Sequence, residues 1–277
     1  MRPVYGGFAE KTLRSTSNIL EKSLFLEEFV SRVGLLQQID PGAKLISTLL
    51  LLLAAALTRN IEVLLGLYAL TLLMALASGI PLGVFIKRVW LFIPIFAGIV
   101  VLPAIFSFVV PGKALVTIGG ISITQPGVQT AVTVLLRVAV SVSLAALLVL
   151  TTRWEQLMRA LTVLRIPKTA ILVLEMTYRY IFLFLKTADG MHLARKSRMI
   201  RRLSGAEERR WVASRLGNLF QKSQRLSEDV YLAMQSRGFT GEIRTVYRPR
   251  FGSIEVAWLI VTAAVVGLVI CANLLLR

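Results

Sequence analysis

Residues 43–79 read AKLISTLLLLLAAALTRNIEVLLGLYALTLLMALASG, two apolar runs broken only by Arg59-Asn60. The hydrocarbon core of a bilayer is about 30 Å thick and a helix rises about 1.5 Å per residue, so a crossing takes roughly 20 mainly apolar residues. Ala43–Thr58 and Ile61–Gly79 therefore predict two spans joined by a tight antiparallel turn. Three more stretches qualify: Trp90–Val110, which holds Pro94 and Pro103; Val128–Thr151, with a lone Arg137; and Ile254–Leu276. Proline inside a membrane helix is tolerated where neighbours satisfy the freed carbonyls. The expected fold class is an all-α membrane protein with about five transmembrane helices and a helical cytoplasmic domain inserted before the last span.

Composition agrees. The 277 residues are 56% hydrophobic, against roughly 45–50% for a soluble domain, and mean hydropathy is +0.71. The 32 Lys+Arg outnumber 15 Asp+Glu to leave +17, a balance that fits nucleic acid or an anionic membrane. These charges avoid the apolar stretches, which favours the membrane. A single cysteine, Cys271, excludes an internal disulfide, and a single histidine, His192, leaves no Cys/His metal cage. Met1–Gly42 is polar and amphipathic, without the hydrophobic core and cleavage site of a signal peptide.

Cytoplasmic loops carry the excess of Lys and Arg. The stretch Thr152–Ser253 contains 20 basic and 8 acidic residues, whereas Pro111–Gly127 contains only Lys113. Placing the large loop in the cytoplasm puts the N-terminus and the Lys87-Arg88 turn there too, and leaves Arg59, Lys113 and Arg277 outside. The expected organisation is a cytoplasmic or interfacial segment (1–42), four spans (43–151), a cytoplasmic helical domain (152–253) and a fifth span (254–277). All five spans would sit in the cell or inner membrane, with the C-terminus outside. Thr169–Leu185 competes as a sixth span, but Glu175 and Arg179 fall on one helix face and are expected to form a local ion pair. Two central charges make a crossing costly. It would also move fifteen basic residues between Lys186 and Arg250 to the other side. The segment is read as a helix at or under the membrane surface.

Within the insert, helical signals run from Trp154 to Leu164, from Lys168 to about Arg202 and from Ala206 to Ser236, with breaks at Ile166-Pro167 and Ser204-Gly205. In the last piece Leu216, Leu219, Phe220, Leu226, Val230 and Ala233 recur at helical spacing, giving one apolar face. Ala194-Arg195-Lys196-Ser197-Arg198 and Ala233-Met234-Gln235-Ser236-Arg237-Gly238 share the pattern Ala-x-x-Ser-Arg, each at the end of a long helical piece. Cations at helix C-termini meet the macrodipole favourably and Gly238 suits a cap, which is a sufficient structural reason for both. The sharper reading is that two similar basic ends grip two similar sites on a dimeric partner.

The sequence resembles the transmembrane T component of energy-coupling factor importers (EcfT), and within it the CbiQ branch associated with cobalt uptake. The resemblance runs from about Ile39 to Thr240. It rests on Asp40-Pro41-Gly42-Ala43-Lys44-Leu45, Thr124-Gln125-Pro126-Gly127, Arg137, Thr151-Thr152, Ile166-Pro167, Tyr178-Arg179-Tyr180 and Ala233–Phe239, in that order. It implies a non-catalytic subunit that links a membrane substrate-capture protein to a pair of cytoplasmic ABC ATPases. ATP and magnesium then belong to the ATPases, and this chain carries no cofactor or metal. The family's two Ala-Arg-Gly motifs end coupling helices that dock on the ATPases. The second is matched by Ser236-Arg237-Gly238; the first by Ser197-Arg198-Met199, without the glycine, or by Ala194-Arg195 in another register. Arg198 is favoured because it aligns with Arg237. Cobalt follows from the branch, with nickel or a vitamin as alternatives.

Other residues have structural readings beside functional ones. Arg137, near mid-span, is either a substrate or gating contact or a residue bonded to neighbouring helix carbonyls. Asp40 is a candidate cap, Pro41 sets the entry to the first span, Pro167 breaks the insert, and Lys44 is expected to snorkel to the interface. His192 reads as a surface residue, and the remaining basic residues as contacts to anionic lipid. A self-contained secondary transporter is the alternative function, opposed by the absence of an inverted repeat. The sequence has no carboxylate pair, nucleophile constellation or phosphate-cradling loop for an enzyme, and no recognised nucleic-acid module.

Overall fold

The computed structural model describes residues 34–81, 83, 85–86, 97–98, 101, 114–118, 121–199, 204–241 and 252–275. The chain before residue 34, the Lys87-Arg88 turn, most of the expected span Trp90–Val110, Lys113 and Arg277 lie outside the described residues. Among the described residues run α1 (Leu35–Gln38), α2 (Pro41–Leu57), α3 (Ile61–Ala77), β1 (Ala114–Ile118), β2 (Ile121–Thr124), α4 (Gln125–Thr151), α5 (Trp154–Ala160), α6 (Lys168–Arg198), α7 (Gly205–Ser236) and α8 (Ser253–Leu275).

Local chemistry sets the element ends. Asp40 Oδ1 accepts from the Gly42 amide at 2.8 Å and Pro41 occupies the first helical position, where its missing donor costs nothing. Helices α4 and α8, of 27 and 23 residues, are long and apolar enough to cross a membrane. Helices α2 and α3 are apolar but have 17 residues each, the lower limit for a crossing. The short antiparallel β1–β2 hairpin is an addition to the expected helices. Its sequence signal was the Gly119-Gly120 pair between two short β-branched runs.

The described residues form two compact units. One holds those from Gly34 to Ala160 and from Gly252 onward; the other holds those from Leu161 to Gly241. The division between the units falls after α5, which packs on α2. In the first unit α2 packs on α4 and α8, and α3 on α4, around Leu51, Ala54, Ala55, Leu67, Val140, Leu144 and Val269. Ala43, Ala55 and Ala139 are wholly buried, and such small side chains let membrane helices approach closely. Leu53, Leu57, Leu73 and Leu268 stay exposed, as an apolar face turned toward lipid requires.

The helix from Trp154 ends at Ala160, four residues before the expected Leu164. Leu164 and Arg165 bond instead to the carbonyls of Leu161 and Thr162, at 3.1 and 3.0 Å, in a tightened turn. Arg165 takes a left-handed φ of 58°, and Pro167 opens α6. Helix α7 begins with a capping box: Glu207 N donates to Ser204 Oγ at 3.3 Å and Ser204 N to Glu207 Oε2 at 2.9 Å.

Candidate functional site

The two Ala-x-x-Ser-Arg repeats end α6 and α7, as their sequence position requires. Ser197 Oγ donates to the Ala194 carbonyl at 3.0 Å and Ser236 Oγ to that of Leu232 at 2.9 Å. Each serine thus turns back onto its own helix and leaves the next arginine outermost. Arg198 and Arg237 are exposed, and among the described residues neither has an ion pair or hydrogen-bond partner for its side chain. The backbone closures differ. After α7, Gly238 N donates to Gln235 O at 2.9 Å and Phe239 N to Met234 O at 3.0 Å, with Gly238 at φ 78°. This is a Schellman closure, which favours glycine. After α6, Met199 is extended (φ −87°, ψ 123°), consistent with the missing glycine.

Near its start, α7 meets the end of α6 through Trp211. The Arg195 guanidinium lies 4.1 Å from the indole centroid and that of Arg215 5.5 Å, while His192 meets the ring edge-on at 6.2 Å. Further along, Leu172, Met176 and Phe184 of α6 face Leu226, Val230 and Phe239 across an open groove of about 560 Å³. The two helices therefore run antiparallel, with Arg198 and Arg237 at opposite ends of α7. Its 32 residues span about 48 Å. Ala233 is exposed beside Arg237, and Ala194 beside Arg195.

This geometry separates the two first-motif arginines. Arg195 is engaged with Trp211, whereas Arg198 stands exposed beyond it. His192 is not a plain surface residue, since it forms part of the indole cluster. Trp211 was missed in the sequence because a lone tryptophan in a basic helix has no spacing signature. A cation–π contact contributes about 0.5–2 kcal/mol. Trp211→Ala is therefore expected to speed amide exchange in the last two turns of α6 about fivefold, measured by hydrogen–deuterium exchange.

In the other unit, Lys44 does not snorkel. It is only 3% exposed, and its Nζ donates to the Thr151 carbonyl at 3.1 Å. The last carbonyls of α4 lack intrahelical partners and form the negative end of its dipole, which gives the buried cation a better site than the interface. Arg137 Nη2 donates to the Thr58 carbonyl at 2.7 Å, so the structure supports bonding to a neighbouring helix end. The Arg59 amide donates to Asn273 Oδ1 at 3.1 Å, tying α8 to the same turn; this lone amide near the end of an apolar span was the overlooked sequence signal. Glu175 and Arg179 share α6 but form no salt bridge. Arg179 is exposed, where an ion pair gains little over water.

A protein-family model described as cobalt transport protein, CbiQ, matches residues 33–247. The chain belongs to the CbiQ family. Its relatives include an uncharacterized protein of Methanocaldococcus jannaschii, 37% identical over 94% of this chain and 90% of the relative. The energy-coupling factor transporter transmembrane protein EcfT of Thermanaerovibrio acidaminovorans is 28% identical over 90% of this chain and 96% of its own length. The EcfT of Lacticaseibacillus paracasei is 27% identical over 81% and 89%. The CbiQ match takes in both the α2–α4 bundle and the two arginine-ended helices.

Proposed function

We propose that the chain is the transmembrane coupling subunit of an energy-coupling factor importer, moved by a pair of cytoplasmic ABC ATPases and delivering that movement to a membrane substrate-capture protein. The observation that carries this reading is the pair of exposed arginines, Arg198 and Arg237, held at opposite ends of the 32-residue α7. Two such ends reach two subunits of a dimer. Arginine suits the grip because its planar guanidinium makes bidentate bonds with carboxylates and stays charged at working pH. ATP-driven closure of the ATPases then shifts one end relative to the other. The α6–α7 groove, apolar along most of its lining, offers the capture protein a surface through which to feel that shift.

In this reading five helices anchor the chain in the cell membrane, with the N-terminus and residues 152–253 in the cytoplasm and the C-terminus outside. The CbiQ family description supports cobalt as the transported ion, with nickel or a vitamin as alternatives. ATP and magnesium bind the partner ATPases. Affinity purification from native membranes tests the proposal: an ATPase pair and a small membrane protein should co-purify in fixed stoichiometry. Substrate transport by the reconstituted chain alone would replace this reading with that of a self-contained transporter.

A further inference from the structure

Helices α2 and α4 hold each other by reciprocal bonds. Lys44, in the first turn of α2, reaches the carbonyl of Thr151, the last residue of α4. Arg137, in α4, reaches the carbonyl of Thr58, the C-cap of α2. The spacing repeats: the step along the chain from Lys44 to Thr58 equals the step from Arg137 to Thr151. Each antiparallel helix thus supplies one cation to the other's C-terminal carbonyls, and the two bonds stand about 21 Å apart along the pair.

Equal spacing on helices of equal pitch closes both bonds in one axial register. A slide of one residue, about 1.5 Å, lengthens and misaligns both bonds together, because both donor–acceptor pairs are displaced by the same step. Between the bonds lie Ala54, Ala55, Val140 and Leu144, an apolar seam with no directional bond to set register. We propose that Lys44 and Arg137 are positioning residues that lock α2 and α4 in a single register, so that the two helices move as one piece when a push arrives at Thr151. Thr151 leads directly into α5, which itself packs on α2. The register needs no assumption about function; its role in movement rests on the coupling-subunit reading.

Two independent bonds, so far apart along the helices, give additive losses when removed, whereas two ends of one lock do not. When either end slips, the other is strained by the same step. The test uses the complete membrane complex carrying Lys44→Met, Arg137→Met or both, with thermal unfolding and uptake per ATP hydrolysed in proteoliposomes as readouts. Each single variant is expected to lower uptake per ATP about tenfold while hydrolysis continues. The double variant should lose no more than about twofold further, and its melting shift should fall short of the sum of the singles. Lys44→Arg should restore uptake to within about twofold, because a lone carbonyl asks only for a cationic donor.

Additive melting shifts, or Lys44→Arg as damaging as Lys44→Met, overturn the lock. If the methionine variants fail to assemble, Lys44→Arg and Arg137→Lys decide, since both keep the charge and are expected to melt like the native complex. The melting measurements read the lock without reference to ATP; uptake reads its part in coupling. A complex that melts as predicted but shows no ATP-driven uptake would reject the functional reading and leave the register lock standing.

Discussion

Arg237→Glu should release the ATPase pair. The side chain is exposed and has no partner among the described residues, so its removal leaves the fold untouched and any loss arises at an interface. Truncating one member of a buried charge pair weakens binding by about thirtyfold or more, and reversing the charge opposite a carboxylate adds repulsion. Co-purification of the ATPases should fall at least about thirtyfold, with the melting temperature of the isolated chain unchanged. Arg198→Glu should behave alike. Arg195→Glu should leave the ATPases bound and instead free Trp211, because Arg195 is spent on the indole. Full assembly and uptake with both Arg198 and Arg237 reversed would remove the docking role.

Ala55→Phe should strongly destabilise the folded membrane unit. Ala55 is 0% exposed in the seam where α2 meets α4, whereas Leu53, on the same helix, is 61% exposed. A phenyl ring at position 55 must push the two backbones apart, and overpacking of this kind costs about 1–3 kcal/mol or more. It also draws Lys44 and Arg137 from their carbonyls. Leu53→Phe places the same ring where only lipid or solvent meets it. The monodisperse fraction after detergent extraction should collapse for Ala55→Phe and hold for Leu53→Phe; equal behaviour would mean that the α2–α4 seam is not the core.

The long apolar runs made the helical architecture legible, since hydropathy sustained over a whole span leaves few alternatives to a buried or lipid-facing helix. The breaks at Ile166-Pro167 and Ser204-Gly205 were equally readable, because proline and a Ser/Glu capping box act locally. Contacts between distant helices were not. Nothing in Lys44 itself says whether it reaches the interface or another helix's carbonyl; the answer depends on where α4 ends. Trp211 gathering His192, Arg195 and Arg215 depends likewise on how α7 meets α6. The β1–β2 pairing, from Ala114 to Thr124, lay in a stretch too short to compete with the apolar spans around it.

The unlike closures of α6 and α7 have a consequence for any motor that drives this protein. One arginine stands on a tightly looped stop, the other directly before an extended residue, Met199. Under the proposed function, two identical engines bolted to these mounts would meet unlike backbone geometry, and the stroke would have a leading side and a trailing side even with twin fuel-burning halves.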